Sequence, residues 1–362
     1  MHYQLKTRQI ALFFIAFMPT IKFFMLPSVL AITTNEDMWI SALLMSVLDG
    51  ITLLFILGAC KKHKCNFRDL LISTFGKPTA NFIFLLFAVY FLLKAFLPVI
   101  EQKEYIETTL YSSMPNALYF FPFYFILFYV CTKGLRIWGR LSDITWAITL
   151  LGFIILIALS TSNVDFSEIL PMFASGPKNI IKGGLYSSVW FNDAIYLLFF
   201  MGEFKWEKKS YLKICIGYLI GILMVIIFMI FFYCVFTSIS FRQQFALTEI
   251  TKYTTVINNT GRFDYLGIIM LVFSDILSIC LPGYFSVKCI NTVFNVKKRW
   301  ITPLIVVLIV FFVSIFLTEF TDSIENLLIL YASYFFILIG NVLPILISLK
   351  KPKEREYEQV KN

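Results

Sequence analysis

Apolar residues run along most of this chain in stretches about as long as a helix needs to cross the ~30 Å hydrocarbon layer of a bilayer, and the polar residues between them fall in short clusters. Ten apolar runs are predicted as helical crossings, near residues 9–32, 38–59, 79–110, 116–133, 141–160, 179–202, 211–237, 264–288, 301–318 and 324–349. The third is longer than one bilayer thickness and is expected to tilt or to project past the membrane at its charged end. Two further stretches have the pattern of surface helices instead of crossings. These are "NFRDLLISTFGK" from Asn66 to Lys77 and, on the opposite side, "FRQQFALTEITKYTTVINN" from Phe241 to Asn259.

Composition sharpens this into a class. The 362 residues are 59% hydrophobic, 18% aromatic and only 15% charged, with a mean hydropathy of +0.80. A soluble domain of this size needs far more polar surface to cover its core. The chain therefore reads as a single all-α transmembrane domain over residues 1–362. It divides into one half at about 9–160, another at about 179–349, and a short tail at 350–362. The first apolar run exceeds a signal-peptide core and has no small-residue cleavage site, so it is expected to be retained. The net charge of +9 does not collect into one basic patch, which argues against a nucleic-acid partner. Seven cysteines stand singly, without metal-ligand spacing or a disulfide framework, and read as small buried hydrophobes.

The basic clusters instead set direction. With a cytoplasmic N-terminus, the inner connections hold Lys6, Arg8, Lys61, Lys62, Lys64, Arg68, Lys77, Lys133, Arg136 and Arg140. Further along they hold Lys205, Lys208, Lys209, Lys213, Lys288, Lys297, Lys298 and Arg299, and the tail adds Lys350, Lys351, Lys353, Arg355 and Lys361. Outer connections keep Lys103, Lys178, Lys182, Arg242, Lys252 and Arg262, with acidic turns such as "TTNED" and "TEFTDSIEN". The expectation is a multi-pass protein of the cell membrane with both termini inside.

Five charged residues fall at or near the middle of these runs, where each costs several kcal/mol unless it is paired or faces a cavity. Lys22 lies in the first run, Asp49 in the second, Lys94 in the third, Asp193 in the sixth and Asp275 in the eighth. They are either structural ion pairs gluing helices together or parts of a functional site. Around Lys22, Pro19 and Pro27 each remove a backbone donor, and "SSVWFND" is a polar interruption of the sixth run. Non-helical backbone at this depth is tolerated only when buried in protein or lining a cavity. Runs one and six point in opposite directions, as do two and seven, and three and eight. That is the topology of a 5+5 inverted repeat whose broken first and sixth helices build a site halfway across the membrane. The candidate ligand-binding residues are Pro19, Thr20, Lys22, Trp190, Phe191, Asn192 and Asp193. Trp190 and Phe191 would shield an apolar part of the ligand. Asp49, Lys94 and Asp275 are candidates for ion pairing or coupling. Ser274 and Ser278, four apart on one face of the eighth run, are candidates for holding an ion or for bonding their own backbone. Both histidines, His2 and His63, lie outside the runs, and neither an HExxH sequence nor a Gly-x-Ser-x-Gly elbow occurs. No enzyme, metal site or cofactor is expected.

The amino-terminal segment "TRQIALFF…MLPSVLA…NEDMWISALL" resembles the B subunits of bacterial spore germinant receptors, the GerAB/ArcD/ProY-type family within the amino acid–polyamine–organocation transporter superfamily. The resemblance rests on Gln9 at the start of helix one, Leu26–Pro27 near its end and Asp37 with Trp39 opening helix two. It is supported by Phe75–Gly76–Lys77 before helix three and a basic Gly134–Arg140 loop before helix five. It implies a ten-helix LeuT-like fold with helices one and six broken. It also implies sensing of small germinants such as amino acids at the spore inner membrane, beside an A-type membrane subunit and a C-type lipoprotein. Such transporters hold the substrate carboxylate on backbone amides of a glycine-rich break in helix one. This chain has no glycine between Ile10 and Ile32, which leaves Lys22 either as a substitute anion holder or as a stand-in for a coupling cation. Three functions stay open: a receptor subunit, a secondary transporter of amino acids or related solutes with or without proton coupling, and a scaffold whose charges only hold helices together.

Overall fold

The computed structural model describes residues 4–63, 65–105, 121–161, 164–252, 264–296, 298–316 and 331–350; within it, the side chains of residues 103, 121, 122, 159, 264–275 and 316 lie outside the described part. Each predicted run contains helix. The first is split into α1 (Thr7–Phe17) and α2 (Leu26–Thr34). The second and third are α3 (Met38–Lys62) and α5 (Lys77–Tyr105), with the surface helix α4 (Phe67–Phe75) between them. Then come α6 (Phe121–Thr132) and α7 (Arg136–Ser160), and a second split run, α8 (Pro177–Ser187) and α9 (Tyr196–Phe200). They are followed by α10 (Ser210–Phe236), the short α11 (Ala246–Lys252), α12 (Asp264–Phe294) and α13 (Ile301–Phe316). The last run is α14 (Ser333–Ile337) and α15 (Leu343–Leu349), joined by a π-helical turn at Leu338–Val342.

Five helical stretches among the described residues are long and apolar enough to cross a membrane: Leu26–Lys62, Lys77–Gln102, Arg136–Ala158, Ser210–Arg242 and Ile276–Phe294. The α4 stretch is the expected amphipathic helix: Phe67, Leu70 and Leu71 are buried while Arg68 is exposed. The Phe67 ring meets those of Phe84 and Phe199 at 5.5 and 5.2 Å. Of the second amphipathic stretch, residues 253–259 lie outside the described residues, and the remainder forms a 3-10 turn at Thr237–Arg242 followed by α11. One boundary differs from expectation. The basic segment before the fifth run is not a loop throughout, since Arg136 to Arg140 already form the opening turns of α7. Both arginines there are solvated at a helix end, which lets polar residues extend an apolar helix beyond the hydrocarbon.

Contacts fix which ends lie together. The stretches Leu5–Lys6 (β1) and Phe204–Lys205 (β2) form a two-residue parallel bridge, so the entrance to α1 is tied to the exit of α9. The Thr7 hydroxyl donates to Lys205 O at 2.9 Å and lies 2.7 Å from Ser210 Oγ. Gln9 Nε2 and Arg8 reach Asp143 of α7 at 2.7 and 2.9 Å. The opposite end is drawn together by Asp37, which is fully buried. It accepts from Phe173 N at 2.7 Å, Ser175 N at 2.9 Å and Ser175 Oγ at 2.7 Å. Runs one and six therefore lie antiparallel to one another.

The centre of the bundle is α1, packed between α7 and α10, and α5, packed along α12. Ser286 donates to Ala88 O at 2.9 Å across the second pair. The approach of α10 to α1 depends on glycine. A Cβ on Gly217 would sit 2.3 Å from Ala11 O, whereas a Cβ on Gly58 of α3 would meet nothing within 4 Å. Small residues let membrane helices approach to backbone contact. Gly217→Ala is accordingly expected to destabilise the protein by about 1–3 kcal/mol through forced separation of α1 and α10. Gly58→Ala should be neutral or slightly stabilising. Thermal unfolding of the two purified variants checks this, and equal midpoints would contradict the close-packed α1–α10 contact.

Candidate functional site

Both split runs are interrupted by local chemistry that the residues dictate. Pro19 O accepts from Lys22 N and Phe23 N, both at 3.1 Å, and closes a 3-10 turn over Ile21–Phe23. Pro27 stands in the first turn of α2, where its missing N–H leaves no gap in the helical ladder. The break in the first run thus forms without glycine, and the amides of Lys22 and Phe23 bond internally instead of lying bare. In the sixth run α8 ends at Ser187, residues 188–190 turn, and residues 191–193 are non-helical. Asn192 has φ +66°, a left-handed conformation that asparagine adopts more readily than most residues.

The buried charges meet where the two breaks touch. Lys22 Nζ donates to Met18 O at 2.7 Å and to Asp193 Oδ2. Lys94, from α5, donates to Phe191 O, to Asn192 O at 3.4 Å and to Asp193 Oδ1 at 3.4 Å. Asp49, from α3, accepts from Asp193 N at 2.9 Å, Ala194 N at 3.2 Å and the Tyr218 hydroxyl at 3.2 Å. The Phe191 ring lies 5.0 Å from Lys22 Nζ, and the Tyr196 ring 5.3 Å from Lys94 Nζ. Exposure of the four charged residues is 0% for Lys22 and Asp49, 3% for Lys94 and 6% for Asp193. Two cations and two anions form a neutral set, and every charge has a directed partner. Without those partners each would cost several kcal/mol in hydrocarbon.

A small cavity of about 20 Å³ opens beside this set, enough for about one water molecule. Its polar lining is Thr20, Lys94, Asp193 and Ser278, and its apolar walls include Phe17, Tyr196 and Pro282. Lys22, expected to face the cavity, is not among its lining residues, and Lys94 is the lysine that lines it. Thr20 donates to Phe17 O at 2.8 Å. Trp190 is fully buried and donates from Nε1 to Glu101 at 2.6 Å, which turns its indole away from the charged set. Asn192 likewise points elsewhere, since its Nδ2 donates to Phe336 O at 3.0 Å and Ser188 O at 3.3 Å. The structure therefore brings together Pro19, Thr20, Lys22, Phe191, Asp193, Asp49, Lys94 and Ser278. It directs Trp190 and Asn192 into helix packing. The side chains of Ser274 and Asp275 lie outside the described part.

Three contributors were not singled out from sequence: Tyr218, Tyr196 and Glu101. Nothing distinguishes the two tyrosines among the 18 in the chain. Glu101 was legible as an acid near the end of the third run, but its bond to Trp190 links residues 89 apart.

Two interrupted helices crossing at a buried set of charges define the class: a membrane protein with the LeuT-type transporter fold. The fold is shared with a variant of the Eremococcus coleocola manganese transporter, at TM-score 0.62 and 12% identity over 94% of this chain and 78% of that one. The inward-facing conformation of Mhp1 matches at TM-score 0.59 and 12% identity over 96% and 77%. Within this class the chain belongs to the spore germination protein family, whose model matches residues 4–323. Spore germination protein YndE of Bacillus subtilis (strain 168) is 24% identical over 202 residues, 54% of this chain and 56% of that protein, so the match spans about half the length of this curated relative.

The bonds from the unwound backbone to Asp49 give this site a direct test. Asp49→Leu leaves the amides of Asp193 and Ala194 without their acceptor, while the Tyr218 hydroxyl keeps the Ser46 carbonyl at 3.0 Å, and Asp49→Asn retains one acceptor oxygen. Asp49→Leu is expected to cost about 3 kcal/mol or more, and Asp49→Asn clearly less. Thermal unfolding in detergent ranks the two, and an Asp49→Leu midpoint equal to wild type would contradict the assignment.

Proposed function

We propose that this chain is the B subunit of a spore germinant receptor, which binds a small solute such as an amino acid where the two breaks meet and passes the event to A-type and C-type partner subunits. The observation that carries this reading is the convergence of Lys94 and Asp193 on a cavity between the broken helices. A solute bearing both charges finds an ammonium and a carboxylate there, already desolvated and oriented. The cavity holds only about one water as it stands, so admitting a solute requires the walls formed by Ile21, Leu281 and Pro282 to part. The reading carries ten crossings with both termini in the cytoplasm, residence in the spore inner membrane, and binding without catalysis.

A second reading, a secondary solute transporter, is favoured by the fold shared with the solved transporters. The manganese of one neighbour does not suit this junction, because both carboxylates are already engaged, Asp193 by two lysines and Asp49 by backbone amides.

Reconstituted protein separates the two readings. An amino acid that raises the thermal midpoint without sustained uptake into liposomes supports the receptor, and sustained uptake supports the transporter. Asp193→Asn is expected to abolish the solute-induced shift while membrane insertion is retained. A wild-type solute response in that variant removes Asp193 from the site.

A further inference from the structure

Unwinding residues 191–193 frees backbone oxygens from the helical ladder, and such oxygens in broken membrane helices are where a mobile cation is held. In this chain the oxygens already have a cation. Lys94 Nζ stands on Phe191 O, Asn192 O and Asp193 Oδ1, delivered from a different helix, α5. Its carrier is itself fixed, since Ser286 bonds the Ala88 carbonyl one helix face away and Phe91 stacks on Tyr196 at 5.6 Å. The Tyr196 ring lies 5.3 Å from the ammonium. The freed amides of Asp193 and Ala194 are met in the same way by the Asp49 carboxylate, so both signs of exposed backbone are answered by side chains.

We propose that Lys94 is a tethered cation occupying the ion position of the broken sixth helix, so that the junction closes and takes up its solute without any mobile monovalent ion. A charge on a side chain has an effective concentration fixed by its covalent stem, which no bath composition changes. Sodium, potassium and choline media are then equivalent for this protein. The proposal rests on the junction being the solute site. Its test is run without solute, so failure of the solute reading leaves this result standing, and the reverse.

The experiment is thermal unfolding of the full chain in lipid nanodiscs, in sodium, potassium, lithium or choline chloride at one ionic strength. The wild-type midpoint is expected to be the same in all four salts. Lys94→Gln frees the oxygens, and its midpoint is expected to fall by roughly 5 °C or more in choline and to recover part of that loss, saturably, with a small monovalent metal ion. A saturable rise of the wild-type midpoint with sodium, absent in choline, overturns the proposal. So does a Lys94→Gln variant that is as stable as wild type. If Lys94→Gln does not fold, equilibrium binding of radiolabelled sodium to the wild-type protein decides. No specific binding is expected, and specific binding overturns the proposal.

Discussion

A backbone unwound inside hydrocarbon has no water to bond, so every amide and carbonyl released from the helical ladder must find a partner in protein. That constraint governs the centre of this molecule. At residues 191–194 the carbonyls are met by Lys94 and the amides by Asp49, while Asp193 holds Lys22, which in turn holds the Met18 carbonyl of the other break. The charges are present because the backbone is open. The backbone stays open because the charges are there. Neither half of that arrangement is stable in lipid alone.

The rest of the fold serves to keep these partners in register. The charged side chains of the junction come from four different runs, so errors in helix placement of an ångström would break it. Aromatic packing supplies much of the positional accuracy: Phe199 meets Phe67, Phe87, Phe91 and Phe285 within 5.1–5.5 Å, and Phe23 meets Phe228 at 4.4 Å. The β1–β2 bridge with the Thr7–Ser210 contact at one end, and Asp37 at the other, hold the two broken runs at their outer limits. The interruptions themselves sit between these fixed points.

Much of this was legible in the sequence, and for identifiable reasons. Burial of a charge in an apolar run is conspicuous, so Lys22, Asp49, Lys94 and Asp193 stood out. Proline positions and a polar interruption marked both breaks. What the sequence did not show is the division of labour. Asp49 looked like a partner for a lysine, yet it bonds backbone amides 144 and 145 residues away. Such a role leaves no periodic trace. Trp190 and Asn192 sit beside the site in sequence, but their side chains bond Glu101 and the Phe336 carbonyl. Tyr218 joins Asp49 from a run whose pattern is uniformly apolar, where one hydroxyl among many aromatics carries no signal. The beginning of α7 was placed late because its first turns are basic, and polarity marks the edge of the membrane, not the edge of a helix.

The most direct measurement is a double-mutant cycle on the pair that joins the two breaks, with Lys22→Met, Asp193→Asn and their combination followed by thermal unfolding of the full chain. Asp193→Asn leaves the Lys22 ammonium buried with only the Met18 carbonyl and is expected to cost about 3–5 kcal/mol, whereas Lys22→Met leaves Asp193 with Lys94 as its one ammonium partner and is expected to cost less. The combined variant should be no less stable than the worse single variant, because the orphaned charge is gone. Effects that simply add would show that Lys22 and Asp193 do not act on one another, and the two broken helices would then owe their meeting to something else.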